Sequence, residues 1–80
     1  MATVDLTSED FLTTIQENDL VLVDFWADWC APCKRFSPIY TKASENHDDV
    51  LFAKLDTDAH QEIAGALNIM SIPTIMAFHK

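Results

Sequence analysis

Eighty residues, 49% of them hydrophobic and 22% charged, suffice for one small globular domain and do not have the composition of a disordered chain. Thirteen acidic side chains against five basic ones give a formal net charge of −8, and only Lys34 and Arg35 are adjacent among the basic residues, so no nucleic-acid surface is expected. Met1–Asp5 lacks a basic stretch ahead of an apolar core, and no apolar run approaches the roughly 20 residues that cross a bilayer. A soluble, cytoplasmic chain with no membrane partner is therefore expected.

Thr3–Asp5 reads as a short first strand. Thr7 follows as a helix N-cap with Asp10 three residues on, and Leu6 and Phe11 are placed to form a hydrophobic staple. Phe11, Leu12 and Ile15 supply the apolar stripe of that helix, which Asn18 and Asp19 end. Residues 20–26, Leu-Val-Leu-Val-Asp-Phe-Trp, show no period-two alternation, as expected of a strand covered on both faces of a parallel or mixed sheet.

From Cys33 to about Asn46 the pattern is helical, with Phe36, Ile39, Tyr40 and Ala43 at i, i+3, i+4 and i+7. Pro38 removes one backbone donor inside it and predicts a kink. Val50–Asp56 reads as a second central strand, and Asp58 with Gln61 caps another helix, weakened by Gly65, that runs to about Leu67. Ile72-Pro73 is a loop and Thr74–His79 a third long strand. Met70, Met76 and the remaining aromatic side chains are assigned to the core.

The order β-α-β-α-β-α-β implies an α/β domain with right-handed crossovers. Its last strand carries Ile75, Met76, Ala77 and Phe78 and is expected at a sheet edge that a second chain could pair with.

The only cysteines, Cys30 and Cys33, lie in Trp29-Cys30-Ala31-Pro32-Cys33 directly after the apolar run. A sulfur at a strand-to-helix junction meets unpaired backbone N–H groups and the positive end of the helix dipole, both of which favour a thiolate. A structural disulfide between them would close too small a loop to stabilise much. Zinc is poorly served, because one Cys-x-x-Cys supplies two ligands and His47, His60 and His79 lack the His-x₃₋₅-His spacing; no metal is expected. Cys30, ahead of the helix and within reach of solvent, is the expected attacking thiol, and Cys33, one turn on, the resolving one. Asp24 is a lone carboxylate in an apolar strand, so its pKa is expected to rise, and Lys54 could offset its charge or simply be solvated.

Val23-Asp24-Phe25-Trp26-Ala27, Trp29 to Lys34, Pro38, Lys54-Leu55-Asp56-Thr57-Asp58 and Ser71-Ile72-Pro73-Thr74 together resemble the thioredoxin family, in its order and spacing over essentially the whole chain. The resemblance implies a thioredoxin-like fold, a mixed central sheet flanked by helices. In the family this fold continues into a last antiparallel strand and a C-terminal helix, so residues 1–80 are expected to be one C-terminally truncated domain. It implies protein-disulfide reduction by dithiol–disulfide exchange through a reversible Cys30–Cys33 disulfide, with no bound cofactor. Recharging would come from a flavoprotein thioredoxin reductase, with NADPH entering only through it, and the substrates would be oxidised proteins. It further implies proton exchange between Asp24 and Cys33, assisted by Lys54, a cis Ile72–Pro73 bond against the cysteines, and a substrate surface of Trp29, Pro32, Ile72 and Pro73 with Trp26 packed beneath. The family's usual Gly-Pro between the cysteines is Ala31-Pro32 here. The alternative is an interaction module with little redox activity of its own.

Overall fold

A computed structural model describes residues 3–80. Four strands and three helices alternate in these residues: β1 (Val4–Asp5), α1 (Phe11–Glu17), β2 (Leu20–Trp26), α2 (Ala31–Ser44), β3 (Leu51–Asp56), α3 (Gln61–Ala66) and β4 (Thr74–His79). The sheet order is β1-β3-β2-β4, with β1, β3 and β2 parallel and β4 antiparallel to β2. The apolar run at 20–26 is thus a strand with a neighbour on each side, as its lack of alternation implied.

The two faces of β2 do different work. Val21, Val23 and Phe25 have no exposed surface and join Leu6, Phe11, Ala53 and Leu55 in the main core, against which Ile15, Ile63 and Leu67 of the α1 and α3 side pack. Leu22, Asp24 and Trp26 point the other way, by the period of two. On that side Tyr40 ties α2 to the sheet: its hydroxyl lies 3.0 Å from the Leu22 carbonyl and 2.8 Å from the Ala53 carbonyl, and its ring packs edge-on against Phe52. One hydroxyl proton is shared between carbonyls on two adjacent strands, which fixes the helix against β2 and β3 together.

Several local expectations are corrected. Thr7 and Asp10 do bond reciprocally, Thr7 N to Asp10 Oδ1 at 2.7 Å and Asp10 N to Thr7 Oγ1 at 3.2 Å, but residues 8–10 are a turn and regular helix begins only at Phe11. The staple residues Leu6 and Phe11 are both buried, whereas Leu12 is 59% exposed because a seven-residue helix turns only one side to the sheet. Ile39 is likewise exposed, since Cys33 and Tyr40 already fill the inner face of α2, which continues through Pro38.

Asp58 does not cap α3. Asp56 Oδ1 instead accepts from the amides of Asp58 and Ala59, His60 is the cap residue, and α3 covers only Gln61–Ala66. Asn68, at φ 60°, closes that helix in the left-handed region that Asn tolerates.

β4 lies at the sheet edge, and its residues alternate: Thr74, Met76 and Phe78 turn toward the core while Ile75, Ala77 and His79 face outward. Replacing Tyr40 by Phe keeps the ring but removes the bridge between strands, and we expect a loss of about 1 kcal/mol in urea unfolding. An unchanged midpoint would show that the hydroxyl does not hold α2 to the sheet.

Candidate active site

The turn between β2 and α2 runs from buried Ala27 through exposed Asp28 and Trp29 to Cys30, whose amide donates to the Ala27 carbonyl at 3.1 Å. Cys30 is extended (φ −91°, ψ 101°) and occupies the N-cap of α2, with Pro32 in the first turn, where its missing N–H leaves no bond unmade. Its Sγ accepts the Cys33 amide at 3.2 Å, so sulfur stands where a Ser or Asp oxygen caps most helices. The two cysteines are joined as a disulfide with their Cα atoms 5.2 Å apart.

The expected solvent access of Cys30 is corrected. Cys30 keeps 3% of its surface and Cys33 2%, because in the disulfide both sulfurs turn inward with Ala27 and are covered by Trp26 and Ile72. What distinguishes Cys30 is its cap position.

The Ile72–Pro73 peptide bond is cis, and the Ile72 carbonyl lies 3.8 Å from Cys30 Sγ. With the sulfur in a disulfide there is no proton between them, so this is a contact only. Among the described residues the Ile72 amide donates to no partner. Trp29 is 71% exposed, and its Nε1 donates to Asp58 Oδ2 at 2.9 Å, which holds the indole at the rim. Pro32 and Pro73 are both exposed. Trp26 packs beneath, its buried Nε1 without a hydrogen-bond partner.

Asp24 has no exposed surface, and neither carboxylate oxygen accepts a hydrogen bond from another protein group. It shares its face of β2 with Trp26, which covers the cysteines, so it lies on the disulfide side of the sheet. Burial pushes its pKa up, and the Lys54 charge opposes this in part. Lys54 is its register partner on β3, yet its ammonium donates to Ser37 Oγ at 2.7 Å and sits 5.2 Å from the Trp26 ring centre. Lys54 therefore acts on Asp24 through space, and the cation is neither bonded to the carboxylate nor simply solvated. Among the described residues no group of three or more His, Cys, Asp or Glu side chains is arranged to hold a metal.

The family model described as Thioredoxin matches residues 2–80. The chain belongs to the thioredoxin family. It is 53% identical over 75 residues to a protein named putative thioredoxin 2 from Streptomyces coelicolor, covering 94% of this chain and 56% of that one. It is 45% identical over 78 residues to a thioredoxin of Alicyclobacillus acidocaldarius, covering 96% and 74%. A solved Plasmodium falciparum thioredoxin superposes with a TM-score of 0.94 at 37% identity, covering 96% of this chain and 76% of that one. An oxidised mitochondrial thioredoxin 3 from Saccharomyces cerevisiae gives 0.92 at 34%, covering 98% and 74%. The chain thus spans little more than half the length of the Streptomyces relative.

Ala31, at the position where thioredoxins usually have Gly, is exposed in the first turn of α2, so its methyl group meets solvent and the helix start accommodates it. Three neighbours of the site were not singled out as such from sequence: Ser37, Asp58 and Met70. Ser37 and Asp58 work through partners distant in the chain, Lys54 and Trp29, and no local pattern marks them. Met70 is a correction: assigned to the core, it is 86% exposed beside Trp29 and Ile72.

A carboxyl whose folded pKa is raised stabilises the fold fully only below its unfolded pKa, and that contribution is lost as pH rises through the folded value. Asp24→Val should therefore stabilise by about 1–4 kcal/mol at pH 8 and by progressively less toward pH 4. Urea melts across that range check it; a gain independent of pH would mean that Asp24 is not held neutral by burial.

Proposed function

We propose that this chain reduces protein disulfides by dithiol–disulfide exchange. The observation that carries the reading is the Cys33 amide donated to Cys30 Sγ at the start of α2, inside a closed Cys30–Cys33 disulfide. Once the disulfide is reduced, the same amide and the helix dipole favour a thiolate on Cys30.

In the first step the Cys30 thiolate attacks one sulfur of a substrate disulfide, forming a mixed disulfide and releasing the other sulfur as a thiolate. Cys33 then loses its proton and attacks Cys30 Sγ, closing the bond present here and releasing the second substrate thiol. Two electrons pass from the cysteine pair to the substrate. Asp24, on the disulfide side of β2, takes the Cys33 proton through an intervening water when its carboxyl is ionised. Burial raises its pKa and so makes that carboxylate a stronger base, and Lys54 moderates its charge. Trp29, Pro32, Ile72 and Pro73 receive the substrate, the free Ile72 amide and its carbonyl offering an extended segment a short strand-like pairing.

The reading includes a cytoplasmic location, where the dithiol is the resting form, and no bound cofactor. A flavoprotein thioredoxin reductase would return the pair to the dithiol, drawing on NADPH. Family membership supports both partners, the reductase and oxidised proteins as substrates.

Cys30→Ser should abolish reduction of insulin disulfides, while Cys33→Ser should still attack and accumulate a mixed disulfide visible by mass. Undiminished turnover without Cys30 would remove the exchange mechanism. A second reading is favoured by β4, an edge strand with Ile75 41% exposed: an edge-strand dimer, or an interaction module built on that edge. Sedimentation velocity separates them. A monomer at all concentrations removes the dimer, and loss of insulin reduction on Cys30→Ser removes the inactive module.

A further inference from the structure

A cleft of about 350 Å³ opens beside the disulfide, lined by Trp29, Thr57, Ile69, Met70, Ser71 and Ile72. Two of the chain's exposed large apolar side chains stand on its walls, Met70 at 86% and Trp29 at 71%. The walls differ in kind. The indole is fixed by its bond to Asp58, whereas Met70 is unbranched and polarizable and can mould itself to what enters. Ile72 belongs both to this cleft and to the cover of the cysteines, and its carbonyl is 3.8 Å from Cys30 Sγ. Ile72 is therefore the residue that joins the cleft to the cover of the reacting sulfur. Beside Trp29 the surface is acidic: Asp28 and Asp58 are both exposed, on a chain of net charge −8.

We propose that Met70 sets substrate preference: a segment of an oxidised protein lies extended across Ile72, with an apolar side chain two residues from its disulfide cysteine seated between Met70 and Trp29, and a basic residue beyond it facing Asp28 and Asp58. Two residues is the spacing at which an extended strand sends a second side chain to the same face, roughly 6.6 Å along. The inference rests on the exchange reading for where the substrate's disulfide sits, and adds the chemistry of its neighbours. Seating an apolar side chain there removes surface from water on both partners, enough for roughly a tenfold preference.

The test uses three peptides, each with its one cysteine in a mixed disulfide with a chromogenic thiol. The residue two places away is Leu, Ser or Leu, and the residue two places beyond that, on the same face, is Arg, Arg or Glu. The unaltered protein should show kcat/KM about tenfold higher for Leu/Arg than for Ser/Arg, chiefly through KM. Met70→Gln should bring that ratio toward one, and Met70→Leu should keep it. No Leu preference, or one that Met70→Gln retains, overturns the role of Met70, and Leu/Glu equal to or better than Leu/Arg overturns the acidic rim. Calorimetry with the same peptides S-methylated reads binding without exchange. Release of no thiol from any peptide would count against the exchange reading alone. The Leu preference in binding would then uphold the cleft, and its absence would overturn it.

Discussion

A helix that begins with sulfur in place of a capping oxygen is the constraint from which the rest follows. The Cys33 amide needs an acceptor once α2 starts at Ala31, and Cys30 Sγ fills that place. In the proposed exchange the cap is also the attacking atom, so the geometry that starts the helix would stabilise negative charge on the reduced sulfur. β2 delivers it. Seven residues, with neighbours on both sides and Val21, Val23 and Phe25 wholly buried, leave the turn after Trp26 little freedom.

In the proposed reduced form, two groups at the site are pushed in opposite directions. The cap environment favours a deprotonated sulfur once the disulfide is opened, while burial favours a protonated Asp24. Environments that drive neighbouring groups apart in proton affinity allow one fold to hold a donor and an acceptor at the same pH. Lys54 tempers the contrast without abolishing it: its ammonium is drawn toward Ser37 and the Trp26 ring, so no direct ion pair forms with the carboxylate. A bonded pair would hold Asp24 ionised, and the observed placement leaves burial as the larger influence.

The elements legible in the sequence were those with a strong local cause. The apolar run at 20–26, the Thr7–Asp10 reciprocity and the cysteines at a strand-to-helix turn are each encoded within a few residues, and each is found. What was misread depends on partners far along the chain. Asp58 has the spacing of a cap, yet Asp56 is nearer the turn amides and Asp58 is taken by Trp29, 29 residues away. Leu12, Ile39 and Met70 are apolar, but apolarity does not say which side of a short helix or loop meets the sheet. The burial of Cys30 follows from closing the disulfide beneath Ile72, a residue 42 positions on.

Across the middle of the sheet one row reads Lys54, Asp24, Ile75, from β3 through β2 to β4. The row is asymmetric, with a cation on one side of the carboxylate and a half-open aliphatic residue on the other. Asp24 is already at 0% exposure although Ile75 stands at 41%. Covering the outer edge of β4 would bury Ile75 further, but it has no remaining Asp24 surface to remove from water, so the direct desolvation of the carboxylate would change little. The raised pKa of Asp24 thus follows from burial already complete in this fold, opposed in part by Lys54, and pairing at β4 would act on stability and association more than on the carboxylate.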